Sequence, residues 1–133
     1  GAWSDMLRHG QRLWAFSTDD CHHPSSFFCG WVCVWAPELT RTAILQSLVE
    51  GRFYASCGPE IYDFFVEDGE AVLRCSPCDR VFFHHNRIAG TRVADAKGPI
   101  IEARFKIPEG VPFIRAQCVA YDYTMAWTQP IYL

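Results

Sequence analysis

Asp20-Cys21-His22 sets a carboxylate and an imidazole two residues apart, at the end of the apolar run Leu13-Trp14-Ala15-Phe16. That run, followed by Ser17-Thr18-Asp19-Asp20, predicts a short buried strand that breaks into a polar loop. Side chains two apart on an extended backbone point the same way. Asp20 and His22 can then aim an oxygen and a nitrogen at one metal ion, and that donor mix suits zinc, manganese or iron in a hydrolytic centre. Structural zinc takes about four protein ligands and catalytic zinc about three, so this pair is only part of a set. The plain alternative is that Asp20 caps a turn and His22 makes an ordinary loop hydrogen bond. Asp19 and His23 are offset by one residue and point away from the pair. Asp19 then reads as a loop hydrogen-bonder and His23 as a solvent-facing or structural residue.

A second constellation is Cys75-Ser76-Pro77-Cys78 with His84 and His85 nearby, the makings of a Cys2His2 zinc site. Against it, Cys75 ends an apolar strand-like run and a second Cys-x-x-Cys is missing. A redox pair belongs at a helix start, where the dipole lowers the thiol pKa, whereas Pro77 and a following strand occupy this position. Arg52 and Arg87 have forked donors suited to phosphate; the alternative for each is a surface salt bridge. Trp31, Trp35, Phe64, Phe82 and Trp127 read as core aromatics.

The elements that position these groups follow from pattern. Ser4 caps a predicted helix over 5–9 that Gly10 ends, with Asp5 placed to suit the helix dipole. After the strand at 13–16 and its loop through 26, residues 30–35 form an apolar run fit for a strand buried on both faces. Thr40 opens the best helix, with Ile44/Leu48 and Leu45/Val49 as apolar pairs four apart, and Gly51 closes it. Beyond Arg52 the texture becomes short strands: 53–56, then 61–66 and 71–75 joined by Glu67-Asp68-Gly69, then 81–84, 100–107, 113–121 and 127–132. The expected fold class is α+β, with a helix-bearing segment over 1–52 and an antiparallel, sandwich-like β region over 53–133.

Composition narrows the function classes. Half of the 133 residues are hydrophobic and 15% are aromatic, which is enough to bury a real core and excludes a disordered chain. A net charge of −3 gives no basic footprint for nucleic acid. No apolar stretch approaches the roughly 20 residues of a membrane helix, and the first residues do not read as a signal peptide. The seven cysteines are odd in number and lie mostly in apolar runs. They read as reduced thiols of a cytoplasmic protein.

Trp3-Ser4-Asp5-Met6-Leu7, Gly10 and Phe16-Ser17-Thr18-Asp19-Asp20-Cys21-His22 together resemble the last barrel segment of the PHP (polymerase and histidinol phosphatase) superfamily. The likeness continues through Gly30-Trp31-Val32, Pro37-Glu38-Leu39-Thr40 and Ala43-Ile44-Leu45. It is strongest over Gly51-Arg52-Phe53-Tyr54-Ala55-Ser56-Cys57-Gly58-Pro59-Glu60-Ile61, where Cys57 stands in place of the usual Thr. Cys75-Ser76-Pro77 and Ala126-Trp127-Thr128-Gln129-Pro130-Ile131 resemble the β extension of that branch. The resemblance implies metal-dependent hydrolysis of phosphate esters at the mouth of a distorted (β/α) barrel, with Asp20 and His22 as the last metal ligands and Arg52 near the substrate phosphate. It also implies a divalent cofactor (zinc, manganese or iron). The family's His-x-His motif is absent here, so the chain is similar to the C-terminal portion of such an enzyme, a barrel remnant of about two helices followed by the β extension. The rival expectations are a non-catalytic module that self-associates as a homo-oligomer, because a partial barrel leaves strand edges and apolar faces to be covered, and a small zinc protein built on Cys75, Cys78, His84 and His85.

Overall fold

Strand alternation decides which residues meet inside this protein. In β5 (Arg80–His84) Val81 and Phe83 are fully buried, while Phe82 and His84 face the other side. In β8 (Phe113–Val119) Ile114, Ala116 and Cys118 share the inward face. The computed structural model describes residues 2–87, 91–93 and 97–133, and it is a mixed α+β fold made mostly of antiparallel sheet.

The order is α1 (Ala2–Arg8), a 3-10 turn at Pro24–Ser26, β1 (Trp31–Val34), α2 (Arg41–Val49), β2 (Phe53–Ser56), β3 (Ile61–Glu67), β4 (Glu70–Cys78), β5, β6 (Thr91–Val93), β7 (Ile100–Lys106), β8, β9 (Met125–Thr128) and β10 (Ile131–Tyr132). One sheet runs β1-β2-β9-β8-β5-β6, with β10 also paired to β8; the other runs β3-β4-β7. The two sheets share one interior. Ile61, Leu73, Cys75, Cys78, Ile100 and Ala103 of the smaller sheet pack with Tyr54, Val81, Phe83, Ile114, Ala116, Cys118 and Ala126 of the larger. Full burial of a Phe or Leu side chain is worth about 1.5–3 kcal/mol, so Phe83, Ile114 and Leu73, each wholly enclosed, are principal contributors.

Local chemistry explains several boundaries. Thr40 caps α2 by accepting the Ala43 N–H at 3.2 Å. The helix stops in a Schellman arrangement, with Gly51 N–H to the Leu48 carbonyl and Arg52 N–H to that of Ser47. Asp68 and Gly69 both have positive φ (50° and 75°), as a two-residue hairpin turn of type I′ requires, and they join β3 to β4 in the expected place.

Two expectations change. Residues 13–16 are not a strand, because side chains rather than a neighbouring strand satisfy their backbone. Gln129 donates to the Ala15 carbonyl (2.6 Å) and accepts its N–H (2.8 Å), and the Tyr132 hydroxyl accepts the Leu13 N–H at 3.0 Å. Trp14 caps the C-terminal end of α2 through Nε1 to the Val49 carbonyl. The apolar tail at 127–132 divides into β9 and β10, which gives the larger sheet its extra pairing to β8. The division near residue 52 is bridged by the β1–β2 ladder, from Trp31↔Ser56 to Val34↔Phe53.

Replacing Gln129 by Ala removes both halves of its bidentate clasp on Ala15 and leaves part-buried backbone groups unpaired. The expected loss is about 1–3 kcal/mol, measurable as a lower denaturant midpoint with an unchanged slope. A midpoint equal to that of the parent would show that the clasp contributes nothing.

Candidate functional site

The loop that carries Asp20 and His22 is fastened at its base by Asp19. One carboxylate accepts three backbone N–H groups: Phe28 on Oδ2 at 2.9 Å, and Cys29 and Gly30 on Oδ1 at 2.7 and 2.8 Å. These bonds, that of Gly30 foremost, hold the Asp19 carboxyl below the ordinary carboxylate range. A Cβ at Gly30 would lie 2.3 Å from Ser17 Oγ and 3.2 Å from the Thr18 carbonyl oxygen, so any larger residue requires Ser17 to shift. The sequence reading of Asp19 as a loop hydrogen-bonder is met.

Asp20 and His22 do come together, though not by strand alternation. Asp20 adopts a left-handed conformation (φ 47°), so a turn rather than an extended segment brings His22 Nδ1 within 4.0 Å of Asp20 Oδ1. Both side chains are open to solvent, at 75% for His22 and 91% for Asp20. The closer contact is His22 Nδ1 to the Asp20 backbone carbonyl at 2.7 Å. A carbonyl only accepts, so Nδ1 carries the proton, and in the neutral ring the lone pair is on Nε2. Among the described residues no third His, Cys, Asp or Glu joins this pair in a group able to hold a metal ion. Arg52 forms an ion pair with Glu50 and lies 3.4 Å from Ser47 Oγ, with about half of its side chain exposed.

Inside the fold the Cys-x-x-Cys motif behaves differently from its expectation. Cys75 and Cys78 are both buried on β4, although residues three apart on a regular strand face opposite ways. A register irregularity between Arg74 and Cys78 in the β4–β7 ladder turns Cys78 inward and leaves Pro77 exposed. Cys118 comes from β8 of the facing sheet. The three Sγ atoms lie within 4.8 Å of one another, and the residues are 2%, 0% and 0% exposed. These three buried cysteines could hold a metal ion. Hydrogen bonds from Cys118 and then Cys75 lower the Cys78 thiol, whereas donation to its neighbours, together with burial, raises Cys118.

The Cys2His2 expectation is corrected at this point. His84 faces away from the shared interior and meets Gln117 Oε1 at 3.1 Å, beside Arg115. His85 stacks on Phe105, and its Nδ1 accepts the Arg87 N–H. Neither belongs to the thiol group, because β5 alternation sends His84 outward and His85 lies past the strand end. Cys118 takes their place. Its inward position was implied by the run Ile114, Ala116, Cys118, but its partners lie on the other sheet, which no spacing along the chain reveals.

Compared with protein-family models, with curated proteins and with solved structures, the chain matches none. Among the described residues no helix is long and apolar enough to cross a membrane.

The His84 imidazole is held down to about 4, first by burial and then by the Arg115 guanidinium. Its folded value lies below its unfolded value, so the unfolded chain binds the proton more readily and stability falls as pH drops from about 6.5 towards 4. Allowing for solvent screening at this partly exposed ring, the loss is on the order of 1–2 kcal/mol. Thermal melts between pH 7 and 4 should therefore decline less steeply in His84→Gln than in the parent. Parallel declines would remove His84 as the cause.

Proposed function

We propose that this chain is the C-terminal portion of a PHP-type metal-dependent hydrolase acting on phosphate esters, and that the 19–30 loop contributes Asp20 and His22 to its metal centre. One observation carries the reading: the His22 Nδ1 hydrogen bond to the Asp20 carbonyl. Metal-bound histidines almost always donate their second ring nitrogen to such an acceptor, which fixes the tautomer and orients the ring. Here the bond commits Nε2 to metal binding. Asp19 supports it by using its own carboxylate on backbone, leaving the Asp20 carboxylate free to ligate.

The donors fit a divalent ion such as zinc, manganese or iron as part of a set, with the other ligands supplied from elsewhere. Such an ion, when bound, lowers the pKa of water and polarises a phosphoryl oxygen. Arg52 is the residue we assign to the substrate phosphate; it would exchange the Glu50 carboxylate for phosphoryl oxygens. In this reading 1–52 is the last segment of the barrel and 53–133 is the β extension. Cytoplasmic residence accords with seven free thiols.

A second reading, a non-catalytic module that self-associates, draws on a different observation. The helix α2 turns Ala43, Ile44, Ser47 and Leu48 towards the sheet, while Leu39, Leu45 and Val49 are 94%, 50% and 72% exposed. Apolar side chains so placed call for a covering surface, either the rest of a barrel or a second copy.

Metal content per chain, measured by elemental mass spectrometry on protein prepared without chelator or nickel, tests the first reading. Asp20→Ala and His22→Ala should each weaken zinc or manganese binding by about 10- to 100-fold, and unchanged affinity in both would sink it. For the second, light scattering coupled to size exclusion should give a mass above the 15.2 kDa monomer, returning to the monomer in Leu45→Glu/Val49→Glu. A strictly monomeric parent at high concentration would exclude self-association.

A further inference from the structure

Independently of the loop, we propose that Cys75, Cys78 and Cys118 form a three-sulfur site for a soft, thiophilic cation, with copper(I) as the matched ion. Three observations converge on it. The sulfurs come from two different sheets yet lie within 4.8 Å of one another. With metal–sulfur bonds of about 2.3 Å, a trigonal arrangement needs sulfurs about 4 Å apart, a spacing compatible with a group that lies within 4.8 Å. Next, the irregularity in β4 is what puts Cys78 on the inward face, where a regular strand would have pointed it at solvent. Finally, the thiols bond mainly to one another; beyond the group, Ser76 bonds to Cys78 and Cys75 makes a long contact to the Ile100 carbonyl at 3.8 Å.

Ligand type and number select the ion. Thiolates select copper(I), zinc or iron–sulfur clusters, and structural zinc and these clusters normally take about four protein ligands. Among the described residues no fourth His, Cys, Asp or Glu joins the group. The three residues are at most 2% exposed, so the sulfurs are shielded from bulk solvent. Binding breaks the three S–H bonds, releases their protons to solvent and forms sulfur–copper bonds with no change of oxidation state.

The alternative is that the thiols fill the core as small hydrophobes, and the experiment separates the two. Exposed Cys21 and Cys29 are first replaced by Ser to remove loop thiols. Because the site is enclosed, copper(I) is supplied as its acetonitrile complex both to the folded chain and during anaerobic refolding, followed by a competing copper(I) chelator. The proposal expects one copper retained per chain, X-ray absorption showing three sulfur neighbours and no nitrogen or oxygen, and zinc held at least tenfold more weakly. Cys118→Ser, checked for folding by circular dichroism, should lose at least tenfold in retention, as should Cys78→Ala if the first variant does not fold. Complete loss of copper to the chelator, a nitrogen or oxygen neighbour, a two-sulfur site, equal retention of zinc, or undiminished copper in the folded variants would each overturn it.

Discussion

A regular strand sends residues 75 and 78 to opposite faces, and the interior of this protein depends on that rule being broken in β4. β4 is the middle strand of the smaller sheet, hydrogen-bonded to β3 on one side and β7 on the other. Its first half keeps a clean ladder from Glu70↔Lys106 to Arg74↔Glu102, and the ladder resumes only at Cys78↔Ile100. The irregularity brings Cys78 inside with Leu73 and Cys75, where the strand meets Val81, Ala116 and Cys118 of the facing sheet. Proline suits the exposed turn of such an irregularity, because its missing N–H removes a ladder bond that is already broken there.

The outer face of the larger sheet obeys a different constraint. Arg115 is 6% exposed, and among the described residues no carboxylate forms an ion pair with it; Ser4 Oγ accepts from it at 2.7 Å, and the Trp3 ring lies 4.6 Å from the guanidinium. Helix α1 is therefore held against the sheet by a buried cation and an aromatic face as well as by Leu7. The same cation is one of the groups that keep His84 neutral. The two candidate sites contrast in the same physical terms. Asp20 and His22 stand in water, where charge is inexpensive and ligands exchange. The three thiols stand in the core, where a charge interacts more strongly with its neighbours than it does in water.

Much of the fold was readable from the chain because its signals are local. Thr40 and Gly51 bracket α2, Asp68-Gly69 dictates a hairpin, and Val81/Phe83 mark a face by simple alternation. The failures share a cause. Residues 13–16 are apolar enough for a strand, but Gln129 and Tyr132, more than a hundred positions away, occupy the backbone groups a neighbouring strand would have used. Asp20 turns where local pattern alone predicts an extended segment, and the closure of the loop by Asp19 shows why. Cys118 has no spacing relation to Cys75 and Cys78, since sheet packing alone brings them together. His84 and His85 were attractive for their nearness in sequence, and strand geometry separates them from the sulfurs.

The clasp between Gln129 and Ala15 also sets an order of events. Its two hydrogen bonds span 114 residues, the Tyr132–Leu13 contact spans 119 and the Arg115–Ser4 bond spans 111. During vectorial synthesis the first twenty residues emerge long before any of these partners exists. The β3–β4 hairpin can close as soon as it leaves the ribosome, and β7 can join it after Lys106. The Asp19 bonds can close the loop bearing Asp20 and His22 early, whereas helix α1 and the backbone of Leu13 and Ala15 lack these partners until β8 to β10 are made. Residues 2–15 are therefore made well before the partners that fasten them, and they are among the last parts of this segment to be fully docked.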